Sequence, residues 1–230
     1  MNFFGHAVVA TAYDARPEFV LGAMLPDFCG MLGLRAPDVL DVGVERGVAL
    51  HHATDAAFHG IPAFVELMTR SREALARAGV ARGPARAVAH IGTELLLDEA
   101  LAHDAAGVAS YSAALRRAGE PPAALGWHEA DANTRFRGLT RLLLDRAESA
   151  PNGEPELIAQ RLRRTLATRP RLAFSEADEA RVRDWVVAAR PNVVGCAELI
   201  IAELRSRLAA VGYRLDASPR LPRAPDPSTR

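Results

Sequence analysis

Apolar residues recur at three- and four-residue spacing over most of this chain. Strict alternation is nearly absent, so the pattern predicts helix after helix. A first helix is expected from about Gly5 to Tyr13. A second runs from Glu18 to Leu32, broken or kinked at Pro26, because an internal proline removes a backbone donor and crowds the preceding turn. Pro37 suits the first turn of a long helix ending at Phe58. Gly60 and Pro62 separate it from a helix reaching Ala78, and Pro84 opens another that reaches His103. Downstream, helices are expected over Ser110–Ala118, His128–Ser149, Glu156–Ala167, Glu176–Ala189 and Val193–Ala210. Turns are expected at Gly119–Pro122 and at P-N-G-E-P, 151–155. The segment 216–230 holds four prolines among polar residues and is expected to be a disordered tail. The expected fold is all-α, with a single domain over 1–215, since the part beyond the P-N-G-E-P turn has too little core to stand alone.

Composition narrows the function classes. The chain has 230 residues, 49% of them apolar, which allows a sizeable core. Basic and acidic residues balance at 28 each, so the basic stripe of a nucleic-acid binder is not expected. Every basic residue is arginine, which removes Schiff-base and P-loop lysines. Cys29 and Cys196 stand alone without a C-x-x-C pair, which argues against thiolate zinc. No basic-then-apolar leader opens the chain and no apolar run reaches about 18 residues. A soluble cytoplasmic protein without a membrane partner is therefore expected.

The chemistry-bearing residues concentrate in the first half. H-H-A-T-D-A-A-F-H places His51, Asp55 and His59 four residues apart, on one stripe of a helix. H-I-G-T-E-L-L-L-D repeats the arrangement with His90, Glu94 and Asp98. Two such ladders could close around a divalent metal, and His6 and Asp27 add ligand-type groups nearby in sequence. Neutral imidazole and ionised carboxylate suit manganese, iron or zinc. The metal candidates are His6, Asp27, His51, Asp55, His59, His90 and Glu94. Glu94 or Asp98 is the expected proton acceptor. His52 lies about 100° around the helix from His51 and is expected beside the site as a further catalytic or substrate-contacting residue. Arg169 and Arg171 flank a proline in T-R-P-R-L and could clamp a phosphate. His103 and His128 are expected at the surface.

Several of these segments resemble the bacterial acyl carrier protein phosphodiesterases. M-N-F-F-G-H resembles that family's M-N-F-L-A-H opening, and L-G-A-M-L-P-D-F its G-N-L-L-A-D-F segment. G-V-A-L-H-H-A-T-D is similar to its G-I-x-x-H-R-x-I-D stretch, and R-P-R-L at 169–172 to its R-R-P-R-L. The likeness covers about the first 105 residues and returns near 165–175. It implies an all-helical fold related to the HD-domain phosphohydrolases and a divalent metal, manganese first. It also implies cleavage of the phosphodiester that joins phosphopantetheine to acyl carrier protein. By resemblance, His6, Asp27, His51 and Asp55 fall on metal positions. His59 stands where the family often has aspartate, and His90 and Glu94 where it has two aspartates four residues apart. His52 stands where it has arginine, which points to a divergent member acting on acyl carrier protein or on another phosphodiester. Two rival readings follow from the residues themselves. One is a helical di-iron oxidase, although its pairs are spaced i, i+3. The other is a non-catalytic helical binding protein with structural histidines.

Overall fold

The computed structural model describes residues 1–120, 125–148 and 153–215. Among them lie nine helices and one pair of very short strands. In chain order these are α1 Phe3–Thr11, α2 Pro17–Leu32, β1 Asp38–Val39, α3 Val42–Phe58, α4 Pro62–Arg77 and α5 Arg82–Leu101. There follow α6 Ala105–Gly119, β2 Leu125–Gly126, α7 Ala132–Glu148, α8 Pro155–Leu166 and α9 Glu176–Ala210. The strands pair antiparallel, Asp38 opposite Gly126 and Val39 opposite Leu125. The all-α expectation holds. The expected tail and the first two residues of the P-N-G-E-P turn, Pro151 and Asn152, like Pro121 and Pro122, lie outside the described residues.

Local chemistry explains most helix ends. Proline occupies the first turn of α2, α4 and α8, where the missing N–H costs nothing. Asp41 caps α3 by accepting from Val44 N–H, and Asp104 caps α6 by accepting from Ala106 and Gly107. Ser175 and Asp178 form a reciprocal capping box on α9. Gly33, at φ 61°, closes α2 in the left-handed region that favours glycine.

Three expectations are corrected. The helix predicted from Pro37 begins only at Val42, because the Asp41 cap provides its start and residues 38–39 find backbone partners in β2. Pro26 does not break α2, which runs through it to Leu32. The two helices predicted on either side of Pro191 are one helix, α9. A proline strips the donor from the carbonyl four residues back. For Pro191 that carbonyl belongs to Val187, which is 55% exposed, so water can take over.

The helices share one core, with Phe28, Phe58, Phe64 and Phe136 among its fully buried side chains. The tightest joint is between α2 and α3. A Cβ on Gly22 would lie 2.1 Å from the Val44 carbonyl oxygen, and one on Gly47 would lie 2.1 Å from that of Phe19. The two backbones touch there because neither residue has a side chain. This contact sets how α3 presents its ligand stripe to α1 and α2. By length and composition alone, α9 could cross a membrane. Its apolar window has a mean hydropathy of 1.4 and is 28% buried, and both ends of the helix supply core residues.

Candidate metal centre

The ligand-type residues gather as two groups rather than one. His6 of α1, Asp27 of α2 and His51 of α3 each offer a ligand atom within 4.8 Å of the others. His59, one residue past α3, forms the second group with His90 and Glu94 of α5 at the same spacing. The division follows from helix rise. His51 and His59 are eight residues apart, about 12 Å along the axis, so one ion cannot take both. Asp55 stands between them. Its Oδ1 lies 3.2 Å from His6 Nε2 and its Oδ2 lies 3.6 Å from His51 Nε2. In the second group, Glu94 Oε1 lies 3.2 Å from His90 Nε2 and 3.4 Å from His59 Nε2.

A positive charge already sits where the two groups converge. The α-amino group of Met1 donates to Asp55 Oδ1 at 2.9 Å and lies 3.2 Å from Glu94 Oε1. Burial opposes its charge, but Glu94 and Asp55 outweigh burial and raise its pKa. Burial also pushes Asp55 and Glu94 upward. Contacts with His6 and the Met1 ammonium outweigh it for Asp55, and contacts with His59 and His90 do so for Glu94. Both carboxyls end below the usual range.

The first group is almost closed to solvent. His6 and His51 are buried, and His51 Nδ1 lies 2.9 Å from the Ala23 carbonyl oxygen. A carbonyl can only accept, so Nδ1 carries the proton and Nε2 keeps its lone pair. Burial, reinforced by neighbouring His6, pushes the His51 pKa down to about 4, and the ring is neutral at pH 7. His6 Nδ1 has no hydrogen-bond partner, and Nε2 approaches Asp55 without hydrogen-bond alignment. Burial lowers the His6 pKa too. Asp27 Oδ2 is buried without a partner, and burial pushes that carboxyl up to about 7. Buried polar atoms lacking partners are uncommon in folded proteins. Neutral imidazoles, carboxylates and orphaned buried donor atoms together make a set that fits a divalent metal.

The second group is more open. The His59 and His90 rings stack at 5.2 Å, and His59 Nδ1 donates to the Asp55 carbonyl oxygen at 3.0 Å, leaving Nε2 toward Glu94. His90 and Glu94 also line a groove of about 890 Å³ between α4, α5 and the loop after α8. Met68, Ile91 and Leu172 give it apolar walls, and Arg72, Arg86 and Arg169 bring charge.

The remaining expected residues divide. Arg169 lines the groove. Arg171 is not among its lining residues; its carbonyl oxygen abuts Gly83, where a Cβ would come within 2.3 Å. Asp98 accepts from Asn2 Nδ2 at 2.6 Å and from Gly5 N–H at 3.0 Å, so it caps the start of α1. Burial pushes Asp98 up to about 7. His52 is exposed and in neither group, its ring edge-on to His51. His103 and His128 are both exposed as expected, His128 Nε2 lying 3.8 Å from Asp38. Arg72 and Arg86 escaped the sequence reading. Arg86 had a signal, since it extends the His90–Glu94 stripe one turn back. Arg72 had none before α4 was placed against α5.

No family model, curated protein or solved structure matches this chain.

Proposed function

We propose that this chain is a metal-dependent phosphodiester hydrolase, a divergent relative of the acyl carrier protein phosphodiesterases on an HD-domain-like scaffold. One observation carries the metal reading. The lone pair of neutral His51 Nε2 faces ionised Asp55 Oδ2 at 3.6 Å, two acceptors with no proton between them. Such a pair repels unless a cation is shared. His6, Asp27, His51 and Asp55 would hold one ion, and His59, His90 and Glu94 would hold a second. Manganese suits this set first, with iron or zinc as alternatives. When bound, the metal would supply Lewis-acid polarisation of a phosphoryl oxygen and activation of water.

The chain's own residues do the rest. The Ala23 carbonyl orients His51, and the Asp55 carbonyl orients His59. Glu94, facing the groove, is the proton acceptor. Asp98 has both oxygens engaged by Asn2 and Gly5, so it positions α1, and with it His6, rather than touching substrate. Arg169 neutralises charge on the phosphoryl group from the groove. His52 takes no part in this reading. The substrate is a phosphodiester, either the phosphopantetheine arm of acyl carrier protein or a smaller ester.

The test is metal content of the purified chain, with hydrolysis of bis-p-nitrophenyl phosphate and of holo acyl carrier protein. One or two metals per chain are expected, with activity lost to a chelator and restored by manganese. Well under one metal, with none taken up on titration, overturns the reading. An iron-dependent optical band that responds to oxygen would point to the di-iron oxidase instead.

A further inference from the structure

The arginines of the groove differ from their neighbours. On α4, Arg70 and Arg77 each pair with a glutamate one turn back, Glu66 and Glu73. Arg72, on the groove side of the same helix, makes no hydrogen bond or ion pair among the described residues, and neither do the side chains of Arg86 and Arg169. Three arginines from α4, α5 and the loop after α8 therefore line one concavity whose one lining carboxylate, Glu94, is already engaged by His59, His90 and the Met1 ammonium. Like charges gathered this way repel, and a bound anion relieves that cost. Apolar walls and a volume of about 890 Å³ suit a small organic molecule, for which pockets of roughly 300–1,000 Å³ are usual.

Helix geometry sets the distance from the chemistry. Arg86, His90 and Glu94 follow one another at four-residue steps along α5, and each step advances about 6 Å. We infer that the groove between α4 and α5 is a second anion subsite, and that the substrate is an organic phosphate bearing another phosphate or carboxylate. With the first phosphate at Glu94 and Arg169, that second anion lies about 6–12 Å away, held by Arg72 and Arg86. The inference rests on the hydrolase reading for the position of the first phosphate, but not for the existence of the groove site.

Calorimetry on the full manganese-loaded chain separates the two. The probes are hexylphosphonate, with one charged end, and a hexane bisphosphonate, with a phosphonate at each end. The two-ended ligand is expected to bind at least about tenfold tighter, the scale of one charge-assisted contact. In Arg86→Gln and in Arg72→Gln that advantage falls to about the twofold benefit of having two equivalent ends, with metal stoichiometry unchanged. Equal affinity for both probes in the wild type, or a full advantage retained in both variants, overturns the subsite and leaves the hydrolase reading standing. If the chain takes up no metal, the hydrolase reading fails, and metal-free chain is titrated with hexylphosphonate alone. Binding that weakens several-fold in Arg86→Gln then still supports the groove site, whereas absent or unchanged binding removes it.

Discussion

The two ligand groups share their chemistry and differ in their surroundings. His6, Asp27 and His51 lie at the crossing of α1, α2 and α3, behind a glycine contact that leaves no room for adjustment. His59, His90 and Glu94 lie where α3 ends against α5, with the two imidazoles 38% and 41% exposed and a groove at their side. The buried group has its histidine tautomer set by a backbone carbonyl of another helix. The open group takes its Nδ1 contact from one turn back on its own segment. Imidazole and carboxylate do not by themselves assign a role. In the proposed hydrolase, burial and rigidity would suit one group to holding a metal, and exposure would make the other the side where substrate arrives.

The largest test addresses the residue common to both. Asp55→Ala should drop phosphodiesterase activity to background, while far-ultraviolet circular dichroism stays close to wild type. Survival of bis-p-nitrophenyl phosphate hydrolysis would show that Asp55 joins nothing. Next comes the asymmetry itself. His51→Ala should weaken metal binding about a hundredfold and His90→Ala nearer tenfold, measured by chelator competition. Equal losses would erase the distinction between a rigid group and an open one.

A third pair probes packing without touching a ligand. Gly47→Ala puts a methyl into the Phe19 carbonyl of a neighbouring helix and should cost about 1–3 kcal/mol in urea unfolding. Gly60→Ala, beside the open group, meets only the tip of Arg207 at 3.2 Å and should stay within about 0.5 kcal/mol. The smallest effect is at the groove. Arg169→Gln should raise KM for a phosphodiester several-fold, whereas Arg171→Gln should leave it unchanged, because only Arg169 lines the groove. A matching rise in both would mean that the loop acts as a whole.

Much of this organisation is visible along the chain. The four-residue steps His51–Asp55–His59 and His90–Glu94 mark faces of helices, and that property is local: 3.6 residues per turn bring such positions onto one side whatever packs there. The division of the stripes is not local. His51 turns to α1 and α2 while His59 turns to α5, and no spacing within α3 says so. Asp98 shows the same limit. It continues the α5 ladder in sequence, yet its partners are Asn2 and Gly5, more than ninety positions away.

Sequence alone therefore determined the helical class, most of the helix spans, and the residues able to bind a metal, because periodicity, capping and side-chain donor type act within a turn or two. Tertiary structure decided which donors meet, that Pro26 and Pro191 are carried inside continuous helices, and that Arg72 and Arg86 face the same groove as Arg169. Those outcomes depend on how closely two backbones approach at Gly22 and Gly47 and on which carbonyls water can reach, and such quantities exist only once separate segments are packed together.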